Sequence, residues 1–142
     1  MFDTSHFHPM LVHFPIALTM VGFILEVVRF FFCKTKSKLP CGEVILYFAT
    51  VSAIFALLTG LLFTSSFSGR PLEVRNTHLL LAILSMVALS LTSLCYLLVR
   101  FGKQNRKTFH IAGLLFYALS ALLISAAGYM GGNLVYTYMI GL

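Results

Sequence analysis

The sequence predicts an all-α fold, an integral membrane, antiparallel four-helix bundle with its N- and C-termini on the outer side of the membrane. Three observations predict it. Charged residues are only 10% of the 142, with a mean hydropathy of +0.95. A soluble domain carries about 25% charged residues, so this chain has too few to cover a globular surface. Four stretches each supply the roughly 20 apolar residues that a spanning helix needs. Basic residues crowd into alternate loops, as a membrane demands. The net charge of +6 therefore reads as loop charge rather than as a nucleic-acid surface.

The first helix is expected over residues 9–33. It follows Met1-Phe2-Asp3-Thr4-Ser5-His6, which has no basic leader, and it ends without a small-residue cleavage site. It therefore reads as a retained span rather than a signal peptide. The second helix is expected over 43–64 and carries small residues at Ala49, Ser52, Ala53, Ala56 and Gly60. The third is expected over 77–99, with Asn76-Thr77 as its N-cap and Pro71 in the preceding loop. The fourth is expected over 110–130, with small residues at Ala121, Ser125, Gly128 and Gly132. Small residues at this spacing let helix backbones approach closely in lipid, and the functional alternative is that they leave room for a flat cofactor. No connecting segment is long enough to fold alone, so residues 1–142 read as a single transmembrane domain, and short loops make sequential helices antiparallel neighbours.

Loop charge sets the direction. The first loop holds Lys34, Lys36 and Lys38, and the third holds Arg100, Lys103, Arg106 and Lys107. The second holds only Arg70 and Arg75, with Glu73 between them. The lysine-bearing loops therefore face the cytoplasm, and the second loop and both ends face outward.

Of the five histidines, His6, His8, His13 and His78 fall on the outer side, and only His110 falls at the inner end. Ionisable groups within a membrane point to function. Two imidazoles facing one another across a bundle can ligate a haem iron from both sides. His13 and His78 are the expected pair. His8 is about 140° from His13 on an ideal helix, so it joins them only if the chain bends around Pro9. Pro15 permits such a distortion. His110, beside Arg106 and Lys107, reads as a solvated or headgroup-facing residue.

Glu26 and Arg29 are three apart and read as a helical ion pair, with a proton-handling carboxylate as the functional alternative. Gly131-Gly132 permits a tight turn or a close backbone approach. Tyr136 and Tyr138 suit the outer interface. Met139 reads as a lipid contact rather than a ligand. Cys33 and Cys41 flank the inner loop and Cys95 lies in the inner half of the third helix, which is wrong for an outer-face disulfide chemistry or a C-x-x-C redox motif.

The run His8-Pro9-Met10-Leu11-Val12-His13-Phe14-Pro15-Ile16-Ala17-Leu18, with Glu26, His78 and the tail Gly131-Gly132-Asn133-Leu134-Val135-Tyr136, resembles a family of small bacterial membrane proteins. That family is catalogued as domain of unknown function 2231, and the similarity covers essentially the whole chain. The resemblance implies a multi-pass protein of the bacterial inner membrane, with the outer side periplasmic. It also implies electron transfer, because domains of this family occur joined to cytochrome c or iron–sulfur modules. The positions that carry over are His8, His13, His78, Gly131 and Gly132.

Haem b is therefore the first expected cofactor. His13 and His78 would be its axial ligands, and His8 an alternate ligand or propionate partner. Arg70 and Arg75 would pair with the propionates, as guanidinium binds carboxylate bidentately. The expected partners are the lipid bilayer, a periplasmic cytochrome or other redox-complex subunits, and a second copy in a homo-oligomer, but not nucleic acid. A zinc or copper ion on His8, His13 and His78 is the alternative. A non-catalytic scaffold subunit is a third reading. An independent enzyme has the least support, since the chain offers no nucleophile–base pair, phosphate loop or paired carboxylates.

Overall fold

The structure, a computed structural model, describes residues 7–32, 41–63, 68–102 and 105–138. Its helices are α1 (Phe7–Leu11), α2 (His13–Phe32), α3 (Cys41–Phe63), α4 (Arg70–Phe101) and α5 (Arg106–Tyr138). With α1 and α2 taken together from His8 to Phe32, four helices among the described residues are long and apolar enough to cross a membrane. Asp3, His6, Cys33, Lys34, Lys36, Lys38, Lys103 and Met139 lie outside the described residues.

The break between α1 and α2 falls at Val12. Pro15 has no N–H to offer the carbonyl four residues earlier, so the helical ladder loses one rung there. Backbone bonds from Val12 N to His8 O (3.1 Å) and from Ile16 N to Val12 O (3.4 Å) carry the chain across the break. Pro9 lies within α1, so the interruption falls three residues beyond the bend expected around it.

Two helices are longer than the sequence predicts. The third span begins at Arg70 rather than Thr77, with Gly69 as its N-cap at φ 68° and Pro71 in the first turn. A first-turn proline loses nothing, because its missing N–H would have had no helical partner, and glycine tolerates the left-handed turn at position 69. Asn76-Thr77 is thus not a cap, and Thr77 Oγ1 donates to the Glu73 carbonyl (3.0 Å) inside the helix. The fourth span begins at Arg106 rather than His110, after Asn105 at φ 57°. It runs through Gly131 and Gly132 to Tyr138 instead of stopping at residue 130. Each glycine costs about 1 kcal/mol of helix propensity, less than leaving backbone groups unpaired in lipid. At 32 and 33 residues, α4 and α5 are about 48–50 Å long and outreach the roughly 30 Å hydrocarbon core.

The helices pack through specific pairs of ends. His8 meets Thr59, Glu43 meets Arg100, His78 meets Ala127, and Glu26 meets His110. The packed centre comprises Leu46, Ala49, Ala53, Leu89, Tyr96 and Tyr117, with Leu18, Phe23 and Met86 against it. Buried polar groups are frequent: Thr19, Glu26, Ser85, Thr92 and Ser120 are all shielded. The exterior carries the large apolar side chains, such as Phe14, Phe48, Phe55, Leu62, Leu115 and Leu122. Contiguous apolar surface of this kind is costly in water and is stable against acyl chains.

Candidate functional site

A cavity of about 330 Å³ lies where α1, the start of α2, the end of α3, the start of α4 and the end of α5 converge. Small-molecule and cofactor sites run from about 300 to 1,000 Å³. Its walls are mostly apolar and small-sided, with Ala53, Ala56, Gly60, Gly128 and Gly131 among them. The polar groups are few: His8, His13, His78, Arg75, Ser85 and Tyr136.

His8 and His78 form the centre. Their ring centroids are 6.2 Å apart with planes at 78°. Each ring is seated on a glycine. A β-carbon at Gly60 would stand 2.8 Å from His8 Cε1, and one at Gly131 would stand 3.1 Å from His78 Cε1. Gly60, from the small-residue stripe of the second helix, and Gly131, from the glycine pair, thus make room for the imidazoles.

Three of the histidines share one hydrogen-bonding arrangement. Thr59 Oγ1 donates its own proton to the Ala56 carbonyl (2.9 Å), so it accepts from His8 Nδ1 at 3.2 Å. His78 Nδ1 donates to the Ala127 carbonyl (2.8 Å), and His13 Nδ1 donates to the Pro9 carbonyl (2.7 Å). A proton fixed on Nδ1 by an oxygen leaves Nε2 with an available lone pair, the arrangement that metal-binding histidines use.

The sequence-derived site is partly assembled. His8, His13 and His78 all line the cavity, but the ring that His78 meets is that of His8, and His13 is exposed. Arg75 lines the cavity whereas Arg70 is exposed and does not. Gly131 touches His78, and Gly132 lines the cavity with open space where its β-carbon would be. Among the described residues, no three His, Cys, Asp or Glu side chains are placed to hold a metal ion.

A second polar cluster sits at the other end of α2. Glu26 is fully buried. Arg29 pairs with it through both Nε (3.1 and 3.0 Å) and Nη2, Tyr96 Oη donates to its Oε1 at 2.9 Å, and His110 Nε2 lies 3.0 Å from the same oxygen. Arg29 Nη2 is also 2.8 Å from His110 Nε2. That nitrogen either donates to Glu26 or accepts from Arg29, never both at once. Phe30 and Tyr96 flank the His110 ring at 5.4 and 5.6 Å. The Glu26–Arg29 ion pair is as expected from sequence. His110 is not: its solvated reading is overturned, because the ring turns inward to the carboxylate. Eighty-four positions separate Glu26 from His110, so no local spacing signals the pair.

The family model described as "Predicted membrane protein (DUF2231)" matches residues 4–142, and the chain belongs to that family. No curated protein and no solved structure matches it.

Proposed function

We propose, with membership of that membrane-protein family as the premise, that the chain is a b-type haem-binding electron-transfer protein or redox-complex subunit of a bacterial inner membrane. In this reading the spans form an antiparallel bundle with both ends periplasmic, and His8 and His78 hold the iron. The supporting observation is the pair of imidazoles at 6.2 Å with both Nδ1 protons anchored on oxygen. The Nε2 lone pairs of His8 and His78 would hold the iron, and the small-sided walls at Ala53, Ala56, Gly60, Gly128 and Gly131 would leave room for a flat macrocycle. Bound there, haem would supply one-electron transfer, to a periplasmic cytochrome or to neighbouring subunits.

The residues would divide the work. His8 and His78 ligate, Thr59 and the Ala127 carbonyl fix their tautomers, and Gly60 and Gly131 set their depth. Arg75, at the cavity, would take a propionate, leaving Arg70 outside the site. A second reading, a zinc or copper ion on His8, His13 and His78, draws support from the anchored Nδ1 that all three share. Structural zinc takes four protein ligands and catalytic zinc three, and His13 does not complete such a set here.

A reduced-minus-oxidised optical spectrum of the solubilised protein tests the proposal, with metal analysis alongside. A Soret band is expected that is lost in His8→Ala and in His78→Ala but kept in His13→Ala. Absence of any Soret band after haem supplementation would overturn it, as would a band that depends on His13 and not on His8. Stoichiometric zinc or copper without haem selects the second reading.

A further inference from the structure

The fully shielded strip of α2 carries a hydroxyl and a carboxylate and no large apolar side chain. Its shielded residues are Pro15, Thr19, Gly22 and Glu26, at spacings of four, three and four, one above another along one side of the helix. Pro15 lines the histidine cavity, and Glu26 is the centre of the carboxylate cluster at the far end. Eleven residues at 1.5 Å each make the strip about 16 Å long.

Two groups along this strip are anomalous. Thr19 Oγ1 and Tyr117 Oη are buried, both residues having no exposed surface, and neither has a hydrogen-bond partner among the described residues. Leaving a buried hydroxyl unpaired costs about 1–3 kcal/mol. Other buried hydroxyls show the usual remedy. Thr92 donates to the Ala88 carbonyl, Ser85 to Ala82 and Ser120 to Tyr117. Thr19 does not turn back on its own helix. Tyr117 points its hydroxyl at Gly22, where a β-carbon would stand 2.1 Å away, so only glycine admits it. The orphaned hydroxyls thus face the same strip of α2, between the cavity and Glu26.

We propose that this strip is a proton path joining the Glu26–His110 cluster to the histidine cavity, with Tyr117 and Thr19 as relay hydroxyls. Steps of one helical turn exceed hydrogen-bond reach, so a bridging water stands between successive groups. At each step a hydroxyl oxygen takes a proton on a lone pair and gives up its own to the next acceptor, and nothing is oxidised or reduced. His110 Nε2 suits the inner end: with a proton it donates to Glu26 Oε1, and without one it accepts from Arg29 Nη2. Charged and titratable neighbours of this end come from every packed helix: Arg29 on α2, Glu43 on α3, Tyr96 and Arg100 on α4, and Tyr117 on α5. Chains of carboxylate and imidazole inside a membrane characteristically serve proton transfer.

Purified full-length protein in sealed vesicles, with a trapped pH dye and a potassium–valinomycin potential, tests this. The wild type should carry protons well above the rate of protein-free vesicles. Thr19→Val and Tyr117→Phe should each slow the flux by about tenfold, the effect of roughly 1.4 kcal/mol on one transfer barrier. Both variants should hold the thermal midpoint close to that of the wild type, because neither hydroxyl has a hydrogen-bond partner among the described residues to lose. Wild-type flux no faster than protein-free vesicles would overturn the path. So would unchanged flux in both variants, or a marked fall in their midpoints, which would make the hydroxyls structural. No haem is added and no haem band is read, so the result is independent of the haem test.

Discussion

Gly60 lies against the His8 ring so closely that a β-carbon there would stand 2.8 Å from Cε1. Because the obstructing atom belongs to a side chain, Gly60→Ala is expected to displace the imidazole rather than to break the helix pair. The Thr59 bond to Nδ1 would be lost with it. Overpacking of this kind costs about 1–3 kcal/mol. Haem titration of the purified variant should show weakened binding while its helical circular dichroism is retained. Unchanged affinity would mean that His8 is not a ligand.

The adjacent glycines of α5 give an internally controlled comparison. Gly131→Ala and Gly132→Ala gain the same helix propensity, about 1 kcal/mol. Only the first meets a ring, at 3.1 Å from His78 Cε1, while the second opens on empty space. Gly132→Ala should therefore raise the unfolding midpoint in detergent, and Gly131→Ala should fall below it. Equal midpoints would show that His78 moves aside at no cost.

The buried carboxylate should dominate the stability of the bundle end that holds Glu26 and His110. Glu26→Ala leaves Arg29 and His110 turned inward with no counter-charge. Breaking a buried pair in this way costs about 3–5 kcal/mol. Tyr96→Phe removes one hydrogen bond to the same carboxylate and should cost about 1.5–3 kcal/mol. Tyr117→Phe, on an equally buried tyrosine with no partner among the described residues, should cost less. Denaturant unfolding of the three variants in one detergent checks the order, and a Tyr117→Phe loss equal to that of Tyr96→Phe would contradict it.

These residues also show what the chain discloses before it is folded. Apolar runs announce the four spans, because lipid imposes their length. Their ends are less legible. Pro71 reads as a loop residue yet fits a first turn, and Gly131-Gly132 reads as a breaker yet serves His78 from within a helix. The histidines are visible as a set, but the partner of His78 is chosen by tertiary packing, which sets His8 against it and leaves His13 exposed. Glu26 with Arg29 is a local pattern and was readable. His110 was not, because its partner is supplied by tertiary packing. The spacing of Thr19, Gly22 and Glu26 was available in the sequence, and it marks a buried polar strip once Gly22 is known to receive a tyrosine hydroxyl.

The direction of insertion decides which compartment each cluster serves. Ser68 and Lys107 are both exposed and sit just before α4 and at the start of α5. The His8–His78 cavity lies toward the Ser68 end, since His78 is near the start of α4 and Gly131 near the end of α5. Glu26 and His110 lie toward the Lys107 end. The expectation from seven basic residues in the first and third loops against two in the second is that the Lys107 end lies inside. With the native cysteines replaced by alanine, Ser68→Cys should react with a membrane-impermeant maleimide on intact cells. Lys107→Cys should react only after permeabilisation. The reverse pattern would put the cavity on the cytoplasmic side, and a periplasmic electron partner could then no longer reach it.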